Sequence, residues 1–383
     1  MRPSASVVGS FSIRAGCSAP EARTRRTDHE TRAASPAAAQ DGPSFEPHGL
    51  LRTGLRLESS DTGGRDGFAL YDARLGATGR IGIVFDYAAG IEIGTREEDL
   101  RLLDAALSVP LRDEFLRLEL GLARSRFGGE ALADKSEIPF VERFQGSLAL
   151  APGRQLGLGL RGAALEGRLH YAGGIYNGNG PSWENDGDGF LWTARAGWNS
   201  VGEVEFFEDF VWEISGSVAF SEDSALLALP LSLPEEGVDR PVPVLTEFTG
   251  DRVIWGANAR VAWREFALAG EYLRTDFDPT SGGDLSSEGW YAQGSYTLWA
   301  AAEILARYDS FRTAGGTVTP GDETTRFLVL GINVLPGLYG RLGLQYAFGL
   351  DGTLAGQEMA LDRTHTGPRL ADGQFLLNLQ VGF

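Results

Sequence analysis

Apolar and polar residues alternate along the end of the chain, "QFLLNLQVGF". One parity is apolar: Phe375, Leu377, Leu379, Val381 and Phe383. The other parity is polar or small except at Leu376: Gln374, Asn378, Gln380 and Gly382. A period of two residues predicts a β-strand with one apolar and one polar face.

The same alternation recurs from residue 50 onward in segments of roughly ten residues, which is typical of transmembrane β-strands. No stretch approaches eighteen consecutive apolar residues, so no transmembrane helix is predicted. Sixteen strands are predicted, an even number that suits a closed antiparallel barrel. They cover 50–58, 67–76, 79–93, 100–109, 114–125, 155–164, 167–176, 189–198, 208–220, 252–264, 265–276, 287–298, 302–312, 324–334, 337–349 and 373–383.

The predicted connections differ in length according to whether they follow an odd-numbered or an even-numbered strand. Connections after even-numbered strands are mostly tight, as in "LGATGR", "PLRD", "LEGR", "WRE", "WAA" and "LPG". Those after odd-numbered strands are longer on average: 126–154, 177–188, 221–251, 277–286, 313–323 and 350–372. Outer loops and periplasmic turns produce this difference in a barrel, whereas a soluble β-sandwich has no reason to show it.

Aromatic residues bracket small aliphatic residues on one parity of two predicted strands. The two series are Val253, Trp255, Ala257, Ala259, Val261, Trp263 and Phe190, Trp192, Ala194, Ala196, Trp198. Eight tilted residues separate such aromatics by about 20 Å along the membrane normal, which fits two interfacial girdles. The pattern predicts an all-β, sixteen-stranded antiparallel transmembrane barrel, in contact with lipid in the outer membrane of a Gram-negative-type bacterium.

The first 47 residues differ from the rest, and we expect the barrel domain to span residues 48–383. Ala37-x-Ala39 before Gln40 suits signal-peptidase cleavage, but no apolar stretch precedes it. Residues 14–17 only faintly resemble a lipoprotein box. We favour a damaged leader or a misassigned start; the alternative is a disordered tail with no targeting role.

The composition excludes several classes of function. The formal net charge is −18 and Lys135 is the single lysine, which argues against nucleic-acid binding. Cys17 is the single cysteine, so an internal disulfide is excluded. "NDGDG" at 185–189 resembles a calcium loop but lacks the spacing and final Glu of an EF-hand, so we favour an acidic loop. We predict neither a metal nor a cofactor.

Four segments carry a family resemblance: "EIPFVERFQGSLALAPGRQLGLGLRG" followed by "LHYAGGIYNGNG", and "EFALAGEYLRTDF" and "EGWYAQGSYTL" later in the chain. Together they resemble the phosphate-selective porin O and P family. The resemblance runs patchily from about residue 48 to Phe383. It implies a sixteen-stranded, usually trimeric, outer-membrane channel.

The sequence departs from the family's phosphate-selective pattern, in which lysines line the entrance and the constriction. Segment 126–154 would be the inward-folded third loop, with the constriction residues Glu130, Asp134, Lys135, Glu137, Glu142 and Arg143. Acidic loops enrich cations at the mouth. We therefore predict passive diffusion of small ions and solutes with weak selectivity. Preference for phosphate or other anions stays open, as does a structural or adhesive barrel with a blocked lumen.

Ten arginines fall on the parity predicted to face the lumen: Arg52, Arg56, Arg74, Arg117, Arg161, Arg168, Arg195, Arg260, Arg307 and Arg341. About as many acids share it: Glu58, Asp72, Asp86, Glu92, Asp104, Glu119, Glu213, Glu271, Glu303 and Asp309. These residues form either a salt-bridged wall or an anion path. The candidate pore-lining contacts are Arg117, Arg161, Arg168, His170, Arg195, Arg260 and Arg341.

The hairpin around Glu166 is expected to bring Arg161 close to Arg168, and the next strand pair to bring His170 near Arg195. The resulting basic patch would have Glu213 beside it. Catalysis is not predicted, because Ser215 and Ser217 face inward with no histidine at matching height on either neighbouring strand.

Overall fold

The computed structural model describes sixteen antiparallel strands and one short helix. The described residues are 43–58, 66–82, 84–93, 100–112, 115–181, 184–185, 187, 189–200, 210–233, 242–281, 284–298, 301–313, 323–334, 340–350 and 373–382. In chain order the strands are β1 (Ser44–Glu58), β2 (Gly67–Ile81), β3 (Phe85–Ile93), β4 (Leu100–Arg112), β5 (Leu116–Arg124), β6 (Arg154–Ala164), β7 (Leu169–Tyr176), β8 (Leu191–Asn199), β9 (Phe210–Leu233), β10 (Val242–Trp263), β11 (Phe266–Pro279), β12 (Leu285–Leu298), β13 (Ala302–Thr313), β14 (Glu323–Val334), β15 (Gly340–Gly349) and β16 (Gly373–Gly382). The helix α1 (Gln145–Leu150) lies between β5 and β6.

Every strand pairs with its neighbours in sequence, and β1 pairs with β16 to close the sheet. The closing register places Leu50 opposite Gly382 and Glu58 opposite Gln374. The predicted fold class, a sixteen-stranded antiparallel barrel, is therefore confirmed. Among the described residues, no helix is long and apolar enough to cross a membrane.

The two faces of the sheet differ as the alternation predicts. On β16, Leu379 and Val381 are exposed, whereas Asn378 and Gln380 are buried. Leu376, the exception in the polar parity, is buried among them. The aromatic residues of the two series have the exposed orientation expected of them: Phe190, Trp192, Trp198, Trp255 and Trp263. We call the apolar exposed face the outer face and the opposite one the inner face.

Three predicted boundaries are wrong. "LGATGR" lies within β2 and the turn follows at Gly82, whose φ of +63° favours glycine. The predicted loop 221–251 is largely strand, because β9 extends to Leu233 and β10 begins at Val242. β1 begins at Ser44, so residues 44–47 belong to the barrel. The predictions for residues 1–42 lie outside the described residues.

Most connections after even-numbered strands are short turns. At the β6–β7 turn, Leu165 and Glu166 have positive φ values of 55° and 60°, the geometry of a tight hairpin. The β10–β11 turn is formed by Arg264 and Glu265. The connection 200–209 after β8 is an exception to this rule. The segment 125–153 after β5 is long, and its contacts define the candidate site.

Candidate functional site

The segment that joins β5 to β6, residues 125–153, is hereafter the β5–β6 segment. Its first part is bound to the inner face of β8, β9 and β11. The Arg195 guanidinium donates to the carbonyl of Gly128 at 2.5 Å, and the Gly128 N–H donates to Ser217 Oγ at 3.2 Å. The carboxylate of Glu271 accepts the N–H groups of Gly129 at 2.6 Å and Glu130 at 3.0 Å. Side chains of the wall thus satisfy backbone groups that would otherwise be buried without partners.

The middle of the β5–β6 segment is bound to strands on the other side of the ring. Pro139 O accepts from Asn333 Nδ2 at 2.9 Å, on β14, and from Gln345 Nε2 at 3.1 Å, on β15. Ser136 O accepts from Gln380 Nε2 at 3.2 Å, on β16. These donors come from three neighbouring strands, so the segment reaches well away from β5.

The same part of the segment continues to β1 and β13. Arg52 of β1 donates to the carbonyl of Val141. Arg307 of β13 donates to the carbonyl of Glu142 at 3.0 Å. The segment therefore contacts the inner face from β8 through β16 to β1.

Lys135 joins the segment to β2 through a buried cluster. Its Nζ lies 2.6 Å from Asp72 Oδ1. Arg52 and Arg74 lie 2.8 and 3.1 Å from the same carboxylate, which is almost fully buried. Burial lowers the pKa of Lys135, and Asp72 opposes that effect. The single lysine is thus paired with a carboxylate that it shares with two arginines.

Glu130 and Arg143 hold the segment together internally. The Glu130 carboxylate accepts the N–H of Phe144 at 2.9 Å. Arg143 donates to the carbonyls of Glu130 and Ala133. Burial lowers the pKa of Arg143 to about 10, which leaves it protonated at neutral pH.

The remaining predicted constriction residues are also paired. Asp134 lies 2.7 Å from Arg124, and its N–H donates to Glu137 Oε2 at 3.2 Å. Burial would raise the pKa of Asp134, but Arg124 outweighs it, so the pKa is lowered. Glu142 lies 2.8 Å from Arg56 of β1.

A ladder of charged side chains lines β2 to β6. Asp86 lies between Arg80, at 2.9 Å, and Arg117. Glu119 is shared by Arg126 and by Arg161, whose Nε lies 3.7 Å away. We call this group, together with Asp104 and Arg154 at 3.1 Å, the charge ladder.

Within the ladder, Arg117 and Arg161 are directly opposite each other on β5 and β6. Like charges in that position repel, and the two shared carboxylates offset the repulsion. The Nε atoms of both arginines are buried and have no hydrogen-bond partner.

Glu213 lies close to three of the predicted pore-lining residues. His170 lies 3.4 Å, Arg195 3.6 Å and Arg260 2.7 Å from its carboxylate. His170 and Arg195 are therefore near each other, as expected, through this shared partner. The patch that we predicted as basic thus includes the half-buried carboxylate of Glu213.

The expected approach of Arg161 to Arg168 is wrong. The register places Arg161 opposite Ala172, and Arg168 lies in the exposed β6–β7 turn. Arg341 is buried and donates to Gln380 Oε1 at 2.7 Å. No group of three or more potential metal ligands occurs among the described residues. Asp186 and Asp188 of the acidic loop lie outside them.

The family model for phosphate-selective porin O and P matches residues 53–333, well over half of the chain. The chain belongs to this family. It is an outer-membrane channel for the diffusion of ions and small solutes, and the resemblance noted in the sequence is confirmed.

Solved porin structures share the fold of this porin at low sequence identity. The anion-selective porin from Comamonas acidovorans has a TM-score of 0.62 and 14% identity, covering 89% of this chain and 100% of its own. The trimer form of OmpT from Vibrio cholerae has a TM-score of 0.62 and 14% identity, covering 90% and 100%. OmpF from Salmonella typhi, in complex with daunomycin, has a TM-score of 0.59 and 12% identity, covering 90% and 99%. A search of curated protein sequences finds no match.

Sequence reasoning did not single out several residues of this porin's site, and Glu271 and Arg126 illustrate why. Glu271 was one acid among ten, and nothing local indicated that it binds a segment far away in sequence. Arg126 was not singled out because it follows β5 and was assigned to the loop. Its position two residues after Arg124 could have indicated that it remains beside the β5 wall.

Proposed function

We propose that this barrel is a homotrimeric general porin with weak ion selectivity rather than a phosphate-specific channel. In the proposal, the β5–β6 segment folds into the lumen and forms its constriction. The contacts of that segment with the inner face from β8 to β1 support this placement.

The main support for the proposed weak ion selectivity is the charge ladder. Each of its guanidinium groups has a carboxylate within 4 Å: Arg80, Arg117, Arg126, Arg154 and Arg161. Fixed charges of both signs along a narrow path attract both ions of a salt, so neither is strongly excluded.

A trimer is supported by the Vibrio cholerae OmpT structure of similar fold, which is a trimer form. We also propose that the chain has no catalytic activity. Ser215 and Ser217 are both used structurally: Ser215 donates to Asn258 Oδ1 at 2.7 Å, and Ser217 accepts from Gly128.

The test is recording from the purified full chain in planar bilayers. We expect stepwise conductance in groups of three and a small reversal potential in a potassium chloride gradient. Added phosphate is expected to leave the chloride current unblocked. Strong anion selectivity with block by micromolar phosphate would overturn the proposed weak selectivity. A folded barrel that never conducts would favour the structural or adhesive alternative.

A further inference from the structure

We propose that the outer face of β9 to β14 binds a phosphate-bearing lipid of the outer leaflet. One acyl chain lies in a groove on β9 to β12, and the headgroup phosphate is bound by Arg274, Arg312 and Arg326. Such a site does not depend on the ion selectivity proposed above, because it lies on the membrane side of the barrel wall.

A groove of about 430 Å³ opens on the outer face of β9 to β12. Its outward-pointing lining residues are Ile214, Ala257, Ala259, Gly270, Tyr272 and Trp290. The floor is low because Gly270 has no side chain and lies between Ala259 on β10 and Ala292 on β12. Ile214 and Trp290 are 55% and 42% exposed and form the sides. Apolar walls of this kind fit a hydrocarbon chain better than a polar solute.

Two aromatic pairs mark the end of the groove that faces the long loops. The ring centres of Trp255 and Tyr272 lie 5.2 Å apart, and those of Trp290 and Tyr308 lie 5.1 Å apart. Tryptophan and tyrosine concentrate where the hydrocarbon layer meets the headgroups. Because long loops lie on the outer side of such barrels, the groove ends next to the headgroups of the outer leaflet.

Charged side chains begin one step beyond these aromatic residues. Arg274 is the next outward residue of β11 after Tyr272, whose hydroxyl donates to Glu288 Oε2 at 2.6 Å. Glu288 is shared by Arg274, at 3.9 Å, and by Arg312, at 3.4 Å. Asp276 lies 2.7 Å from Arg274. The aromatic end of the groove is thus joined directly to a belt of charged groups.

Arginines outnumber acids in this belt. Arg326 is exposed on β14 opposite Ser310, which pairs on its other side with Trp290. On the outer face of β13 and β14, the described residues include Arg312 and Arg326 but no acid. The Arg274 and Arg312 side chains are 37% and 42% exposed. Guanidinium groups bind phosphate bidentately, so the belt complements a phosphate placed above an acyl chain.

Acidic residues limit where that phosphate can lie. Glu222, Asp251 and Asp278 are neighbours across β9 to β11, nearer to the loops than Arg274. They repel an anion, whereas Arg312 and Arg326 attract one. The headgroup is therefore expected to lie against β12 to β14, with its acyl chain reaching back into the groove.

Binding of diphosphoryl lipid A to the detergent-purified full chain tests this site. Native mass spectrometry would measure the affinity, with dephosphorylated lipid A and inorganic phosphate as further probes. We expect the parent to bind the diphosphoryl form about 10-fold more tightly than the dephosphorylated form, because charge-assisted bonds to phosphate are lost in the latter. Inorganic phosphate should not displace the lipid, since it cannot occupy the groove.

Two kinds of variant separate the headgroup from the chain. The double variant Arg312→Gln, Arg326→Gln should lose the preference for the diphosphoryl form and bind both forms alike. Ala259→Phe should weaken binding of both forms, because the ring fills the groove. Ala257→Phe is a second groove variant should Ala259→Phe fail to fold, as judged by heat-modifiable migration.

The matched controls carry the same changes elsewhere on the outer face or rim. Arg264→Gln removes an exposed arginine stacked on Trp263 at the opposite rim. Ala194→Phe adds a ring at an exposed position of β8 outside the groove. Both controls should bind lipid as the parent does.

Equal binding of the two lipid forms by the parent, or parental binding by both kinds of variant, would overturn the site. Displacement by inorganic phosphate would assign the arginines to a free anion instead of a lipid. Separation of the subunits by Ala259→Phe would make the groove a contact between copies of the chain. All these outcomes leave the channel function standing, whereas a parent that binds lipid but never conducts would refute only the proposed function.

Discussion

The carboxylate of Glu271 on β11 accepts the backbone N–H of Gly129 at 2.6 Å, joining a barrel strand to the start of the β5–β6 segment. The second carboxylate oxygen accepts the N–H of Glu130 at 3.0 Å. Two charge-assisted hydrogen bonds from one buried side chain fix the direction in which the segment leaves β5.

We predict that Glu271→Gln loosens the β5–β6 segment while the barrel still folds. An amide has one acceptor oxygen and would direct its NH₂ group toward a backbone donor. Losing such a bond costs about 1.5–3 kcal/mol. Single-channel recordings should show a larger or noisier conductance than the parent.

The control for this prediction is Glu288→Gln on β12. Glu288 accepts the Tyr272 hydroxyl at 2.6 Å and is not bound to the segment. It should conduct as the parent does. If the conductance and current noise of Glu271→Gln equalled those of its control, Glu271 would not hold the segment.

Asp72→Asn should prevent folding or destabilise the barrel severely. It removes the carboxylate that Arg52 and Lys135 share in a buried cluster, where breaking an ion pair costs about 3–5 kcal/mol. Heat-modifiable migration on detergent gels would reveal the lost stability as a lower unfolding temperature of the barrel.

Asp134→Asn is the matched control, because the Asp134 side chain is 61% exposed and an exposed pair contributes about 0–1 kcal/mol. Equal effects of the two variants would contradict the anchoring role of Asp72.

Substitutions in the charge ladder should move ion selectivity in opposite directions. Glu119→Gln leaves Arg126 and Arg161 without their shared carboxylate, so chloride should be favoured. Arg161→Gln should favour potassium. Each change should alter the chloride-to-potassium permeability ratio roughly 2-fold or more, since a fixed charge changes the local ion concentration. Reversal potentials in a salt gradient measure it, and a shift of the same sign for both variants would exclude an electrostatic role.

The outer face should tolerate charge poorly at mid-membrane depth. Ala196 lies between Trp192 and Trp198 on β8, and an arginine there should cost about 2–4 kcal/mol. Arginine at Trp198 should cost less, because that residue lies toward the interface. Urea unfolding in lipid vesicles measures both free energies. A larger cost at position 198 would show that the aromatic residues do not mark the membrane boundary.

The alternation of β16 and the aromatic series of β8 and β10 made the strands and their faces predictable from the sequence. The partners inside the lumen were not, because they depend on register across several strands. Glu213 meets Arg260 of β10 and also His170 of β7, two strands away across β8. The extension of β9 and β10 into segment 221–251 was missed because its prolines and acidic residues favour a loop over a long strand pair.

The closing pair of β1 and β16 makes the order of biosynthesis matter. Arg52, which binds the carbonyl of Val141, lies opposite Gln380, which binds the carbonyl of Ser136. Until the ribosome has made β16, the free edge of β1 is an unpaired template for aggregation, and contacts so distant in sequence form slowly. A chain cut off before Gly373 would keep two open edges and could not complete the ring.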